Sequence, residues 1–206
     1  MLTRFTRAER AVHHVTAVLL FVCLGTAALL YVPELANAVG RRELIKPIHI
    51  WAGVALPVPI LVGWLSRAFR DDVRRLNRFR PSDWEWLRRR DRRAVRRGRG
   101  VIAIGKFNAG QKLNAAFVSG AILVMLGTGL MLTFPNPWPV QLRTGATFVH
   151  DWLTLLIFVV TLGHIYYAVR DQDALSGMLT GQVTARWAAR HHAGWLDEQK
   201  GDAGGS

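Results

Sequence analysis

The chain has 206 residues, half of them hydrophobic, and a formal net charge of +13. Its apolar residues do not follow short amphipathic periods; they gather into four blocks at about 11–34, 47–66, 113–134 and 149–169, which excludes an ordinary soluble globule. The lone cysteine, Cys23, excludes an intrachain disulfide and reads as a small buried apolar residue.

Each block reaches roughly 20 residues, enough for a helix to cross a hydrocarbon layer of about 30 Å. Segments 12–33, 47–66, 113–134 and 152–169 contain no Asp, Glu, Lys or Arg. A short basic head (Arg4, Arg7, Glu9, Arg10) precedes span one. Head, apolar run and Ala36-Asn37-Ala38 imitate a secretory signal. The run is longer than the usual 7–15 residues or so, and cleavage would discard His13, so the segment is expected to be retained. Span one leaves through Pro33 and Glu34 into a short outer loop. Span two is expected to begin near Pro47, where the missing N–H costs little, and to kink at Pro57 and Pro59.

The loop 67–112 is the longest non-membrane piece, with a helix start expected at Pro81-Ser82-Asp83 ahead of Trp84, Trp86 and an Arg-rich run at 88–99. Span three carries Gly120, Gly127 and Gly129. Pro135-Asn136-Pro137-Trp138-Pro139 reads as an outer loop. After span four, residues 171–196 are expected to form an amphipathic helix on the membrane surface, with Trp187 and Trp195 at the interface and His191 and His192 on the surface.

Of the 27 Lys and Arg residues, Arg41, Arg42, Lys46 and Arg143 lie in the loops opposite the N-terminus, and the other 23 lie on the N-terminal side. The positive-inside rule then puts both termini and the long loop in the cytoplasm. Anionic membrane lipid is the expected neighbour of that belt, at about 1 kcal/mol per nearby basic residue. Nucleic acid is not expected as a partner.

Five of the seven histidines fall within or at the edges of the spans, where an ionisable residue needs a partner or a function. His13 and His14 open span one on the inner side; His49 and His150 open spans two and four on the outer side. His164 follows His150 by 14 residues on the same helix face, or about 21 Å along the axis. Pairing by depth sets His49 with His150, and His164 with His13 or His14. Each pair comes from two helices at one level, as an iron bound axially on both sides requires. Zinc fits poorly, because neither pair has Cys or carboxylate company. Gly53, Gly163 and the span-three glycines would let a flat macrocycle approach, or two helices pack closely. The expected fold is therefore an all-α integral membrane protein, a four-transmembrane-helix bundle over residues 1–170 carrying two haems, with a cytoplasmic interfacial tail at 171–206.

Glu9-Arg10-Ala11-Val12-His13, His49 with Gly53, Gly105-Lys106-Phe107-Asn108-Ala109-Gly110-Gln111-Lys112 and His164-Ile165-Tyr166 resemble the gamma subunit of membrane-bound formate dehydrogenase. The likeness runs from about residue 4 to Trp195, and the Gly-Lys-Phe-Asn segment is its most specific part. The resemblance implies a di-haem, quinone-reducing cytochrome b in a bacterial plasma membrane. By it, His49 and His150 hold the outer haem b and His13 and His164 the inner one. Asn108, Gly110 and Gln111, with His164, border a menaquinone or ubiquinone site. An iron–sulfur subunit would deliver electrons from a catalytic subunit of molybdenum or tungsten type. His14 stands where that family carries an aromatic residue. Two readings compete: the cytochrome anchor of a nickel–iron hydrogenase, or another b-type oxidoreductase, and a haem-free structural anchor.

Overall fold

The structure is a computed structural model, described over residues 1–89 and 102–204; the Arg-rich run from Arg90 onward lies outside the described residues. It is almost entirely helical. The elements in order are β1 (Leu2–Thr3), α1 (Arg7–Tyr31), α2 (Pro33–Val39), α3 (Arg42–Ala55), α4 (Pro57–Gly63), α5 (Arg67–Leu76), α6 (Pro81–Arg88), α7 (Ala109–Thr133), α8 (Val140–Arg170), α9 (Gln172–Thr180), β2 (Gln182–Val183), α10 (Ala185–His191) and α11 (Ala193–Gly204). Four stretches are long and apolar enough to cross a membrane: α1, α3 with α4, α7 and α8. Large apolar side chains along them, such as Val18, Leu61, Leu123 and Val159, are exposed. In a span that is the face turned to lipid.

Span two departs from expectation at its start. It begins at Arg42, with Pro47 inside α3. The break expected from Pro57 and Pro59 is there, because α3 ends at Ala55 and α4 restarts at Pro57. Proline supplies no N–H to the preceding turn, and Leu56 N bonds back to Gly53 O at 3.3 Å instead. Pro33 opens a further short helix, α2, which Gly40 closes at φ +60. α8 starts at Val140, immediately after the proline-rich turn.

The chain groups into two compact units. The apolar unit comprises 11–65 and 118–166; the polar unit comprises 1–10, 66–117 and 167–206. Residues after span four therefore do not stand alone as a tail. Nor are they one amphipathic helix: Gly181, at φ +90, ends α9, and β2 pairs antiparallel with β1 in the register Leu2↔Val183 and Thr3↔Gln182. Asp171 and Thr184 cap α9 and α10 by accepting from Ala174 N and Trp187 N. The three short helices bury Trp187 and Trp195 with Val183 and Ala188, against Leu2, Ala174 and Leu196. A second core packs Trp86, Ile102, Ile104 and Ala109. The expected helix start at Pro81 is present, with the Asp83 carboxylate accepting from Arg80 N at 2.7 Å.

Candidate haem site

Within the apolar unit the histidines meet as two pairs. His49 on α3 faces His150 on α8, with ring centroids 6.3 Å apart. His13 on α1 faces His164 on α8 at 6.2 Å. His14 packs edge-on to His13 at 5.5 Å and is exposed. A metal bound by two imidazoles, about 2 Å from each nitrogen and about 1 Å further from each ring centre, holds the centroids about 6 Å apart. Both pairs fit that spacing, and their separation along α8 follows from the 14 residues between His150 and His164.

What orients the outer pair is a feature that the sequence does not reveal. Thr26 Oγ1 donates to Val22 O at 2.6 Å and lies 2.9 Å from His49 Nδ1. Thr128 Oγ1 donates to Val124 O at 2.8 Å and lies 2.9 Å from His150 Nδ1. Each hydroxyl has one proton, and the helix carbonyl takes it. The imidazole must then donate from Nδ1–H to the threonine, which leaves the Nε2 lone pair free to ligate. The arrangement occurs twice, span one holding the histidine of span two and span three that of span four. Gly129 lies against it, since a Cβ there would lie 3.4 Å from His150 Cε1. At Gly53 and Gly163 a Cβ would meet no protein atom, so close helix packing does not account for them.

The Gly-Lys-Phe-Asn segment lies in the polar unit, where each of its residues has work. The Gly105 carbonyl accepts from His192 Nδ1 at 2.7 Å. Lys106 reaches Glu9 and Asp72, and the Phe107 ring packs beside Phe5. Asn108 and Gln111 form a reciprocal cap at the start of α7: Asn108 N donates to Gln111 Oε1, and Gln111 N donates to Asn108 Oδ1, both at 3.0 Å. A Cβ on Gly110 would sit 3.0 Å from the Trp86 ring. Lys112 is buried, donating to Asp83 Oδ2 at 2.6 Å and to Arg78 O at 2.8 Å. The two amide oxygens are thus spent on the cap, and what each side chain can offer a ligand is its NH2 donor.

His192, expected on the surface, is 1% exposed. Its Nε2 accepts from Arg4 at 3.3 Å, while Arg4 also donates to Lys106 O and lies over the Trp187 ring. Burial first, and then the Arg4 charge, hold His192 well below the usual histidine range, so it is neutral. His191 packs beside Trp187.

An apolar four-helix bundle whose histidine rings face each other at metal-bridging distance has the architecture of a membrane cytochrome b. The family model for prokaryotic cytochrome b561 matches residues 4–181, and the chain belongs to that family. It is accordingly a multi-pass membrane protein that binds haem b and serves electron transfer. Among its relatives is the nitrate-inducible formate dehydrogenase cytochrome b556(Fdn) subunit of Escherichia coli K12, 25% identical over 96% of this chain and 91% of that protein. The formate dehydrogenase cytochrome b556 subunit of Haemophilus influenzae is 23% identical over 95% and 82% of the two chains. The cytochrome b556(fdo) subunit of Escherichia coli K12 is 23% identical over 96% and 92%.

Proposed function

We propose that this chain is the haem-carrying membrane subunit of a formate dehydrogenase-like complex, with two haem b groups, and that it reduces a quinone near the cytoplasmic face. His49 and His150 hold the outer haem; His13, the residue whose ring meets His164, completes the inner site. The observation that carries this reading is the pair of facing imidazoles at 6.2 and 6.3 Å, one pair at each end of the 14-residue stretch of α8. Bound there, haem b supplies one-electron transfer. The chain's own part is to keep each ligating nitrogen unprotonated, to fix the outer rings through Thr26 and Thr128, and to surround them with apolar side chains.

Electrons enter from an iron–sulfur subunit attached to a catalytic subunit of molybdenum or tungsten type; the relatives' names, which are those of formate dehydrogenase subunits, support a multi-subunit complex. Menaquinone or ubiquinone is taken beside the start of α7 at Gly110, where the NH2 groups of Asn108 and Gln111 donate to a quinone carbonyl. The basic belt orients both termini and the long loop to the cytoplasm.

The test is a pyridine haemochrome count on purified variants. His49→Ala and His164→Ala should each retain about half of the wild-type haem, since each breaks one of two bis-histidine sites. His14→Ala should retain all of it. Wild-type haem in both His49→Ala and His164→Ala would defeat the assignment.

A further inference from the structure

One ion cluster in the polar unit is not balanced. Lys106 Nζ lies 2.9 Å from Glu9 Oε1 and 2.7 and 2.6 Å from the two oxygens of Asp72. The three side chains are 11%, 6% and 9% exposed, so among the described residues two carboxylates share one ammonium almost out of water. The rings of Phe5 and Phe107 cover the ammonium at 4.9 and 5.6 Å. Glu9 has a second donor, Thr6 N, at 2.5 Å. Arg4, a further cation of the same unit, directs its guanidinium to Lys106 O, His192 and the Trp187 face. Among the described residues, the charged groups that act on Asp72 are Glu9 and Arg4 from the N-terminal segment and Lys106 from the loop; Asp171 and His192 of the C-terminal stretch face Arg4.

A second uncompensated negative charge in such a site is costly, and the cheaper state binds a proton. Burial first, and then the hydrogen bond with Glu9, push Asp72 up to about 8 against the pull of Lys106. We propose that Glu9 and Asp72 hold one exchangeable proton between them and that this proton is spent in quinone reduction at the start of α7. The inference rests on the quinone reading above. Reduction to quinol takes two protons and two electrons, which a haem held by the histidine pairs would supply one at a time. One proton leaves the Asp72 carboxyl as one quinone oxygen gains its O–H bond, and the second comes from solvent to the other oxygen. The resulting carboxylate is reprotonated from water, and Lys106, two residues before Asn108, holds the pair at that end of the segment.

A purely structural ion cluster makes the opposite demand, because it needs Asp72 charged. Asp72→Asn is the isostere of the protonated acid and leaves a one-to-one Glu9–Lys106 pair, so the variant should fold and bind haem normally. Two measurements decide. In infrared titration of the purified chain, the carbonyl band of a protonated buried carboxyl should be present at neutral pH, titrate near 8 and be missing in Asp72→Asn. In Glu9→Gln it should titrate at a lower pH than in the wild type, because the Glu9 contribution is lost while burial remains. In stopped-flow reoxidation of dithionite-reduced haem by a soluble quinone analogue, Asp72→Asn should be slower by about tenfold or more at neutral pH and should lose the pH dependence centred near 8. A band unchanged in both variants, or wild-type reoxidation in Asp72→Asn, would overturn the proposal. If wild-type haem is not reoxidised by quinone at any pH, the quinone reading fails, and the infrared titration still decides whether the carboxyl pair holds a proton.

Discussion

Thr26 and Thr128 decide which nitrogen of the outer histidines carries hydrogen. Replacing Thr128 with valine keeps the shape of the side chain and removes the acceptor for His150 Nδ1–H. Losses of this outer-shell kind cost about 10- to 100-fold in metal affinity. Haem titration into Thr128→Val apoprotein should therefore show one weakened site and one unchanged. Thr133→Val is the control, since its hydroxyl bonds only its own helix at Gly129 O, and it should titrate like wild type. The four ligand candidates were legible because ionisable residues are rare inside apolar runs and their depth can be counted along a helix. The threonines were not, because a mid-span Thr usually bonds its own helix, and nothing in one sequence says which also meets a ring. The Gly-Lys-Phe-Asn segment was legible as important. The individual roles of Lys106 and Lys112 were not, because their partners, Glu9, Asp72 and Asp83, are 29 to 97 residues away.

At the scale of elements, apolar length gave the four spans, while tertiary partners set their ends and the polar helices. Gly181 shows why the C-terminal stretch misled. Its left-handed backbone is invisible to helical periodicity, yet a Cβ there would lie 2.6 Å from Phe5 O. Gly181→Ala should destabilise the polar unit by about 1–3 kcal/mol, read as a lower unfolding temperature by tryptophan fluorescence, with haem content unchanged. The junction of α6 and α7 rests on the buried Lys112–Asp83 pair, with side chains 8% and 3% exposed. Asp83→Ala strands the ammonium and should cost about 3–5 kcal/mol, whereas Asp83→Ala with Lys112→Met should recover most of that loss. A double variant no better than the single one would show that the carboxylate's cap on Arg80 N matters more than the charge pair.

At the scale of the molecule, three distant stretches of chain build the polar unit around buried titratable groups, so its stability must depend on pH. His192 is held neutral, its folded-state pKa depressed below 6.5. Below that value the unfolded chain takes up a proton that the folded chain refuses, so stability from His192 rises with pH up to about 6.5. Asp72 works the other way. Its pKa is raised from 3.8 to about 8, so the folded chain keeps a proton that the unfolded chain releases. Its contribution is full below about pH 4 and is lost as pH rises through 8. The two oppose each other up to 6.5, and from 6.5 to 8 Asp72 acts without opposition from His192. The unfolding temperature in detergent should therefore fall between pH 6.5 and 8 in the wild type and stay level there in Asp72→Asn. In His192→Asn, which keeps an amide donor for Gly105 O, the decline should extend continuously from about pH 4 to 8. A wild-type decline above pH 6.5 that survives in Asp72→Asn would take the proton away from Asp72 and leave the cluster a plain ion pair with a spare carboxylate.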